Sequence, residues 1–289
     1  MFFITDSLRL FGSFVKFSHT VFSLPFALGM FAVTAKFYPV TFRQFLWIIV
    51  ALISARTAAM SFNRIVDVDF DKQNPRTSSR ELPSGKLTLL KAYSFLFSSS
   101  IIFILSSLML GFHCFLLSFL VLFILFFYSY TKRFTYYSHY VLGLCLALAP
   151  GGVWYALTDT FSLVPVPLML GVLFWVAGFD IIYSLQDVNF DKKHKLFSLP
   201  AVFGEKKALF IAKLSHIGTV LMLFLFGKTA SLGAIYYIFI LIFSFLLYLE
   251  HKAVNPSDLR SIDKAFFTRN AQASFLFVIG VVLDLFFKI

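Results

Sequence analysis

Runs of roughly twenty apolar residues recur from one end of the chain to the other, each closed by a short polar or turn-forming segment. As a helix rising about 1.5 Å per residue, a run of that length covers the roughly 30 Å of hydrocarbon in a bilayer. The pattern therefore predicts nine transmembrane helices, near residues 14–35, 42–65, 88–109, 112–130, 138–158, 164–186, 207–226, 232–250 and 268–287. The expected fold class is all-α: a polytopic membrane bundle around a central cavity, forming a single intramembrane domain over residues 1–289. Composition agrees, since 59% of residues are hydrophobic and only 13% are charged, against about 25% charged in a soluble domain.

A net charge of +11 suggests nucleic acid only if the charges gather into a binding face, so their placement between the spans decides their meaning. One set of loops and ends holds Arg9, Lys16, the basic residues from 64 to 91, Lys132, Arg133, the lysines from 192 to 213 and the basic residues from 252 to 269. The other holds only Lys36, Arg43, Lys228 and Lys288. Loops rich in Lys and Arg stay cytoplasmic. The N-terminus and the charged loops are thus expected on the cytoplasmic side of the inner membrane, and the C-terminus, after an odd number of spans, on the opposite side. No nucleic acid is needed to explain the basic balance. The opening MFFITDSLRLFGSFVKF has no basic leader and no small-residue cleavage pattern, so no removable signal peptide is expected. Cys114 and Cys145 fall inside apolar runs, which indicates neither a disulfide framework nor a metal-thiolate site. Pro25 and the APGG run ending at Gly152 interrupt their spans and read as packing kinks.

Against this background the stretch NRIVDVDFDKQNPRTSSRELPSG, residues 63–85, gathers polar residues that a membrane rejects. Asn63, Asp67 and Asp71 stand at four-residue intervals, which stacks them on one helix face. The hexapeptide DVDFDK from Asp67 returns as DVNFDK from Asp187, with five identities in six positions and 120 residues of separation. Asp180, Asp187 and Asp191 make up the second acidic segment. Carboxylates this close repel one another unless cations neutralise them. Magnesium suits the task, because it prefers oxygen and completes its shell with substrate phosphates. Two facing clusters would set two metal ions on one diphosphate. Asp69, whose counterpart is Asn189, points off the shared face and is expected to be exposed, whereas Asn63 and its counterpart Tyr183 stand four residues before the paired aspartates.

Arg56 lies within the second predicted span, seven residues before Asn63 and on nearly the same face. An arginine there must meet an acid, a phosphate or a carboxylate-bearing substrate. Lys132 and Arg133 follow the fourth span and either close over a diphosphate or anchor the helix end. Arg76, Arg80 and Lys86 share a loop shaped by Pro75, Pro83 and Gly85, as expected of a cap over a site. His19 and His139 lack a second nitrogen ligand at a suitable spacing, so hydrogen-bonding or interfacial roles are expected of them. The 41 phenylalanines face lipid or core, and some line any cavity that holds an isoprenoid or a carbocation.

These segments, N63-R-I-V-D67-V-D-F-D71, N74-P-R-T-S-S-R80-E-L-P-S-G85 and D180-I-I-Y183-S-L-Q-D187-V-N-F-D191, with Tyr130 to Arg133 and APGG, resemble the intramembrane aromatic prenyltransferases of the UbiA (4-hydroxybenzoate polyprenyltransferase) type. The resemblance implies a nine-helix bundle and a magnesium-dependent attack of a small hydroxyaromatic acid on polyprenyl diphosphate within the lipid bilayer. It implies Asn63, Asp67 and Asp71 as the first metal and diphosphate motif, and Asp187 and Asp191, supported by Tyr183, as the second. Asp180 resembles the acid that contacts the acceptor hydroxyl. Arg56, Arg80, Lys132 and Arg133 resemble the basic residues that hold diphosphate or the acceptor carboxylate. The region FSHTVFSLPFA resembles a branch found in menaquinone producers that use the futalosine route. Benzoate and naphthoate acceptors both carry a carboxylate, so Arg56 does not separate them. A haem-farnesylating relative shares the first motif. A CDP-alcohol phosphotransferase needs an order of Asp-Gly, Ala-Arg and further aspartates that neither segment supplies, and an anionic-lipid transporter would carry its charges at the midplane rather than at helix ends.

Overall fold

Helix boundaries in the structure, a computed structural model that describes residues 12–14, 20–254 and 259–287, fall where the chain supplies caps and breakers. After α1 (Thr20–Phe37), Thr41 and Gln44 form a capping box: the Thr41 hydroxyl accepts from the Gln44 amide at 3.2 Å, and the Gln44 side chain accepts from the Thr41 amide at 2.9 Å. That cap opens α2 (Phe42–Val66), which gives way at Asp67 to the short α3 (Val68–Gln73). The Thr88 hydroxyl caps α4 (Leu89–Leu110), and Gly111 separates it from α5 (Phe112–Thr131). Next come α6 (Ser138–Thr158), α7 (Val166–Tyr183), a 3-10 turn (Ser184–Asp187) and the short α8 (Val188–Lys193) and α9 (Leu199–Phe203). α10 (Glu205–Thr229), α11 (Ala234–Ala253) and α12 (Leu259–Phe286) complete the order.

The described residues contain helices and no strand. Each of the nine predicted spans has its helix. Eight segments are long and apolar enough to cross a membrane, while α1 contributes a shorter apolar stretch, Leu24–Phe37. The chain is a multi-pass membrane protein. The start of the first predicted span, the signal-peptide reading and the expectations for Arg9, Lys16, His19 and Lys288 lie outside the described residues.

The described residues fall into two compact units, one from Met1–Val21 and Thr41–Tyr130, the other from Phe22–Val40 and Thr131–Ile289. In the first, α2 packs on α4 through Ala51, Ala58, Leu96 and Phe103, and Phe62 stacks on Phe126 of α5 with ring centroids 4.4 Å apart. The loop between α3 and α4 is fixed from below, because its Leu82 and Leu87 pack with Phe14 and Ala92. Gly85 turns it at a φ of 74°, a conformation that favours glycine.

The second unit is built on α7. The span through α7 is 67% buried, against 17% for α5 in the other unit, so α7 is a core helix and α5 a peripheral one. Helices α6 and α10 pack against α7, and α11 packs against α12. At Gly143 the α6 backbone comes so close to α7 that a Cβ would overlap the Leu173 carbonyl. Small residues permit such contacts between membrane helices. Phe26 of α1 lies against Trp175 at 5.0 Å and Phe277 at 4.7 Å. Pro25 and Pro150 sit inside continuous helices. Buried Asp284 of α12 accepts from the Gly233 amide at 2.7 Å and the Tyr236 amide at 3.1 Å, capping α11 from a neighbouring helix.

Candidate active site

The first acidic motif is made by interrupting a helix without losing its register. At Asp67 the backbone turns to φ −96°, ψ 6°, yet the Asp71 amide still donates to the Asp67 carbonyl at 2.8 Å. The four-residue stacking read from the sequence survives the break. Asn63 Nδ2 donates to Asp67 Oδ2 at 2.9 Å. Asp71 is buried and accepts Arg80 Nη1 on both oxygens, at 2.7 and 2.9 Å, with Arg64 Nη1 at 3.8 Å. The loop that delivers Arg80 wraps this acid: the Thr77 hydroxyl donates to the Asp71 carbonyl at 3.2 Å, and the Asn74 side chain accepts from the Arg76 amide at 3.0 Å. Asp69 points away, its side chain 83% exposed and paired with Lys72 at 3.5 Å.

The second motif repeats the device. The 3-10 turn after α7 brings Asp187 to φ −105°, ψ 3°, close to the angles of Asp67, and α8 then carries Asp191. Asp187 and Asp191 are buried, and Asn189 is exposed in the place of Asp69. Asp191 accepts from Lys132 Nζ at 3.4 Å, as Asp71 accepts from Arg80. The backbone reinforces the pairing: the Phe197 amide donates to the Lys132 carbonyl at 2.7 Å and the Leu196 amide to the Asp191 carbonyl at 2.8 Å. Burial works against the Lys132 ammonium, but Asp191, Asp187 and Asp180 together outweigh it and raise its pKa above the ordinary lysine value. Arg133 is exposed on the same turn, and half-buried Tyr183 ends α7.

Among the described residues no three His, Cys, Asp or Glu side chains converge closely enough to hold a metal ion by themselves. Tethered cations neutralise the most buried acids instead. The donor set still fits magnesium, since Asn63, Asp67, Asp71, Asp187 and Asp191 offer only oxygen ligands beside amide nitrogen. Magnesium takes one or two carboxylates and fills the rest of its shell with phosphate and water.

Arg56, near the middle of α2, forms no structural ion pair with an aspartate among the described residues, and its Nε is buried with no hydrogen-bond partner there. A cation in that position is costly until it meets an anion.

The sequence reading misses the part played by Arg64 at the first motif, and it gives the hydrogen-bonding role of His139, in the second unit, without its partner. Arg64 appears there only as a loop charge, although it stands seven residues before Asp71 and so on the same face. His139, fully buried in the first turn of α6, has its Nδ1 2.7 Å from Asp180 Oδ2. Forty-one residues separate that pair, and no local pattern joins them.

The profile of the UbiA prenyltransferase family matches residues 22–277. Curated relatives named 4-hydroxybenzoate octaprenyltransferase include one from Francisella tularensis subsp. tularensis, 26% identical over 236 residues that make up 81% of this chain and 82% of the relative. Another, from Marinobacter nauticus, is 26% identical over 233 residues, 80% of this chain and 79% of the relative. Among solved structures, the apo form of a UbiA homolog from Aeropyrum pernix K1 matches with a TM-score of 0.84 at 31% identity, covering 92% of this chain and 98% of that one. A UbiA homolog from Archaeoglobus fulgidus bound to GPP and Mg2+ has the same fold, with a TM-score of 0.70 at 17% identity over 96% and 99% of the two chains.

Proposed function

The chain belongs to the UbiA prenyltransferase family, and on that premise we propose that it transfers a polyprenyl group from polyprenyl diphosphate to a carboxylated hydroxyaromatic acceptor, 4-hydroxybenzoate or a dihydroxynaphthoate, in respiratory quinone biosynthesis. The observation that carries this reading is the duplicated acidic break, in which the second aspartate of each motif is held by a basic side chain able to turn to a diphosphate. The names of the curated relatives support the benzoate acceptor. The loops that bear both motifs are assigned to the cytoplasmic face on their Lys and Arg content.

In this reading Asn63, Asp67 and Asp71 hold one magnesium ion, and Asp187 and Asp191, with Tyr183 in support, hold a second. Bound there, the ions supply Lewis acidity to the departing diphosphate. Arg80, Lys132 and Arg133 bind the diphosphate oxygens through charge-assisted hydrogen bonds. Arg56 takes the acceptor carboxylate, which completes the pairing it lacks within the described residues. The allylic C–O bond breaks with its electron pair leaving on diphosphate, and the ring carbon beside the hydroxyl bonds to the allylic carbon. Asp180 receives the hydroxyl proton as this bond forms. The ring proton then leaves to the released diphosphate, the oxygen recovers its proton from Asp180, and aromaticity returns. Apolar helix faces keep water from the allylic cation.

The test is prenyl transfer in membranes that contain the full chain, with magnesium, labelled polyprenyl diphosphate and each acceptor in turn. Transfer to one of the acceptors, abolished by Asp67→Ala and by Asp187→Ala, is the expected result. A folded protein that binds the diphosphate but transfers to neither acceptor overturns the reading.

A further inference from the structure

We propose that His139 is a positioning residue: with its Nε2 accepting from the Leu199 amide, it donates through Nδ1 and aims the Asp180 carboxylate at the acceptor hydroxyl. The inference rests on the role given to Asp180 above. Its evidence is a chain of hydrogen bonds within one compact unit.

Leu199 is the first residue of α9, where backbone amides have no acceptor inside their own helix. Its N–H donates to His139 Nε2 at 3.3 Å, in a fully buried setting. A ring nitrogen that accepts a hydrogen bond carries no proton, so the proton of a neutral imidazole must sit on the other nitrogen. Nδ1–H therefore donates to Asp180 Oδ2 at 2.7 Å. Both nitrogens are engaged, so His139 does not relay a proton. It fixes one carboxylate oxygen and leaves the other to meet the acceptor, in a side chain that is 21% exposed.

The same segment explains why this contact belongs with the site. Between α8 and α9, Leu196 donates to the Asp191 carbonyl and Phe197 to the Lys132 carbonyl, and two residues later Leu199 fixes His139. One stretch of backbone thus sets the geometry of the second diphosphate motif and of the proposed acceptor acid. Lys132 feels the charge of Asp180 together with those of Asp187 and Asp191.

The experiment compares the unaltered chain with His139→Phe, which keeps a ring of similar bulk but no donor, and His139→Asn, which keeps an N–H donor. Measured in membranes are kcat for transfer, KM for the acceptor and the affinity for labelled polyprenyl diphosphate. The expected result for His139→Phe is a 10- to 100-fold loss of kcat with diphosphate affinity unchanged within twofold, and partial rescue in His139→Asn. In an Asp180→Asn background, His139→Phe is expected to cost little more. A ring-fluorinated acceptor, whose hydroxyl ionises more easily, should narrow the defect. Full transfer by His139→Phe, or a parallel fall in kcat and diphosphate affinity in both variants, overturns the inference alone. Absence of transfer by the unaltered chain overturns the proposed function and this inference with it.

Discussion

Arg56 is half-buried near the middle of α2, and its Nε has no hydrogen-bond partner among the described residues. In the resting protein that guanidinium is a cost, and its removal should show as added stability. Insertion scales place arginine at a helix centre about 2.5–3.5 kcal/mol uphill and an aliphatic residue slightly downhill. Because Arg56 is only half-buried, about half of that difference applies, and Arg56→Met should gain about 1–2 kcal/mol. Function should move the other way. A charge-assisted hydrogen bond to the acceptor carboxylate contributes about 1.5–3 kcal/mol, so kcat/KM for the acceptor should fall about 10- to 100-fold. The assay pairs thermal unfolding of purified protein in detergent with an acceptor titration, run beside a phenol that lacks the carboxylate. For that control acceptor the variant and the unaltered protein should perform alike. A lower melting temperature in Arg56→Met would refute the reasoning, because it would mean that Arg56 holds the fold together. An equal loss with both acceptors would remove the carboxylate from its role.

Further expectations follow from the same geometry. Asp69→Asn should change transfer less than twofold, because Asp69 points away from the other acids, whereas Asp71→Asn should lose activity by orders of magnitude in the same membrane assay. Asp284→Ala strands two amides at the start of α11 and should cost about 2–3 kcal/mol in thermal stability without changing acceptor KM. Gly143→Val forces α6 away from α7 and should lower both folding yield and melting temperature. Lys132 has a raised pKa, so its contribution is complete below the unfolded lysine value of about 10.4 and is lost only as pH climbs through the higher folded value. The stability difference between Lys132→Met and the unaltered protein should therefore stay level from about pH 7 to pH 9, and a difference that collapses within that window would contradict the pairing with Asp191.

Much of this arrangement was legible in the residues themselves. Helix positions followed from apolar runs bounded by polar and glycine-containing breaks, because a bilayer admits few other solutions. The Asp67 to Asp71 spacing and its copy at Asp187 located both motifs, and the two-residue offset of Asp69 gave its exposure. Partnership was less legible. Nothing in the local pattern tells Arg80 from Arg76 as the ligand of Asp71, since the choice depends on how the loop around Asn74 and Thr77 folds back. The contact of His139 with Asp180 depends on two helices brought together at Gly143, and its tautomer depends on a third segment, at Leu199. Such contacts join residues far apart in the chain, and periodicity carries no information about them. The acceptor is illegible for a different reason, as Arg56 would serve either carboxylate.

The tethered cations at Asp71 and Asp191 act as an interlock. On the proposed reading, a magnesium ion arriving alone would have to displace Arg80 from Asp71 at the first motif, or Lys132 from Asp191 at the second, and the cation set loose would lose its counter-charge. A diphosphate arriving alone draws the same cations away and leaves the carboxylates uncovered. When both arrive, each takes the partner that the other releases. Metal and diphosphate should therefore bind cooperatively at each motif, each raising the affinity of the other by the same factor, as linkage requires. At each motif a basic side chain covers the second acid, and on the proposed reading that contact yields to metal and diphosphate together more readily than to either alone.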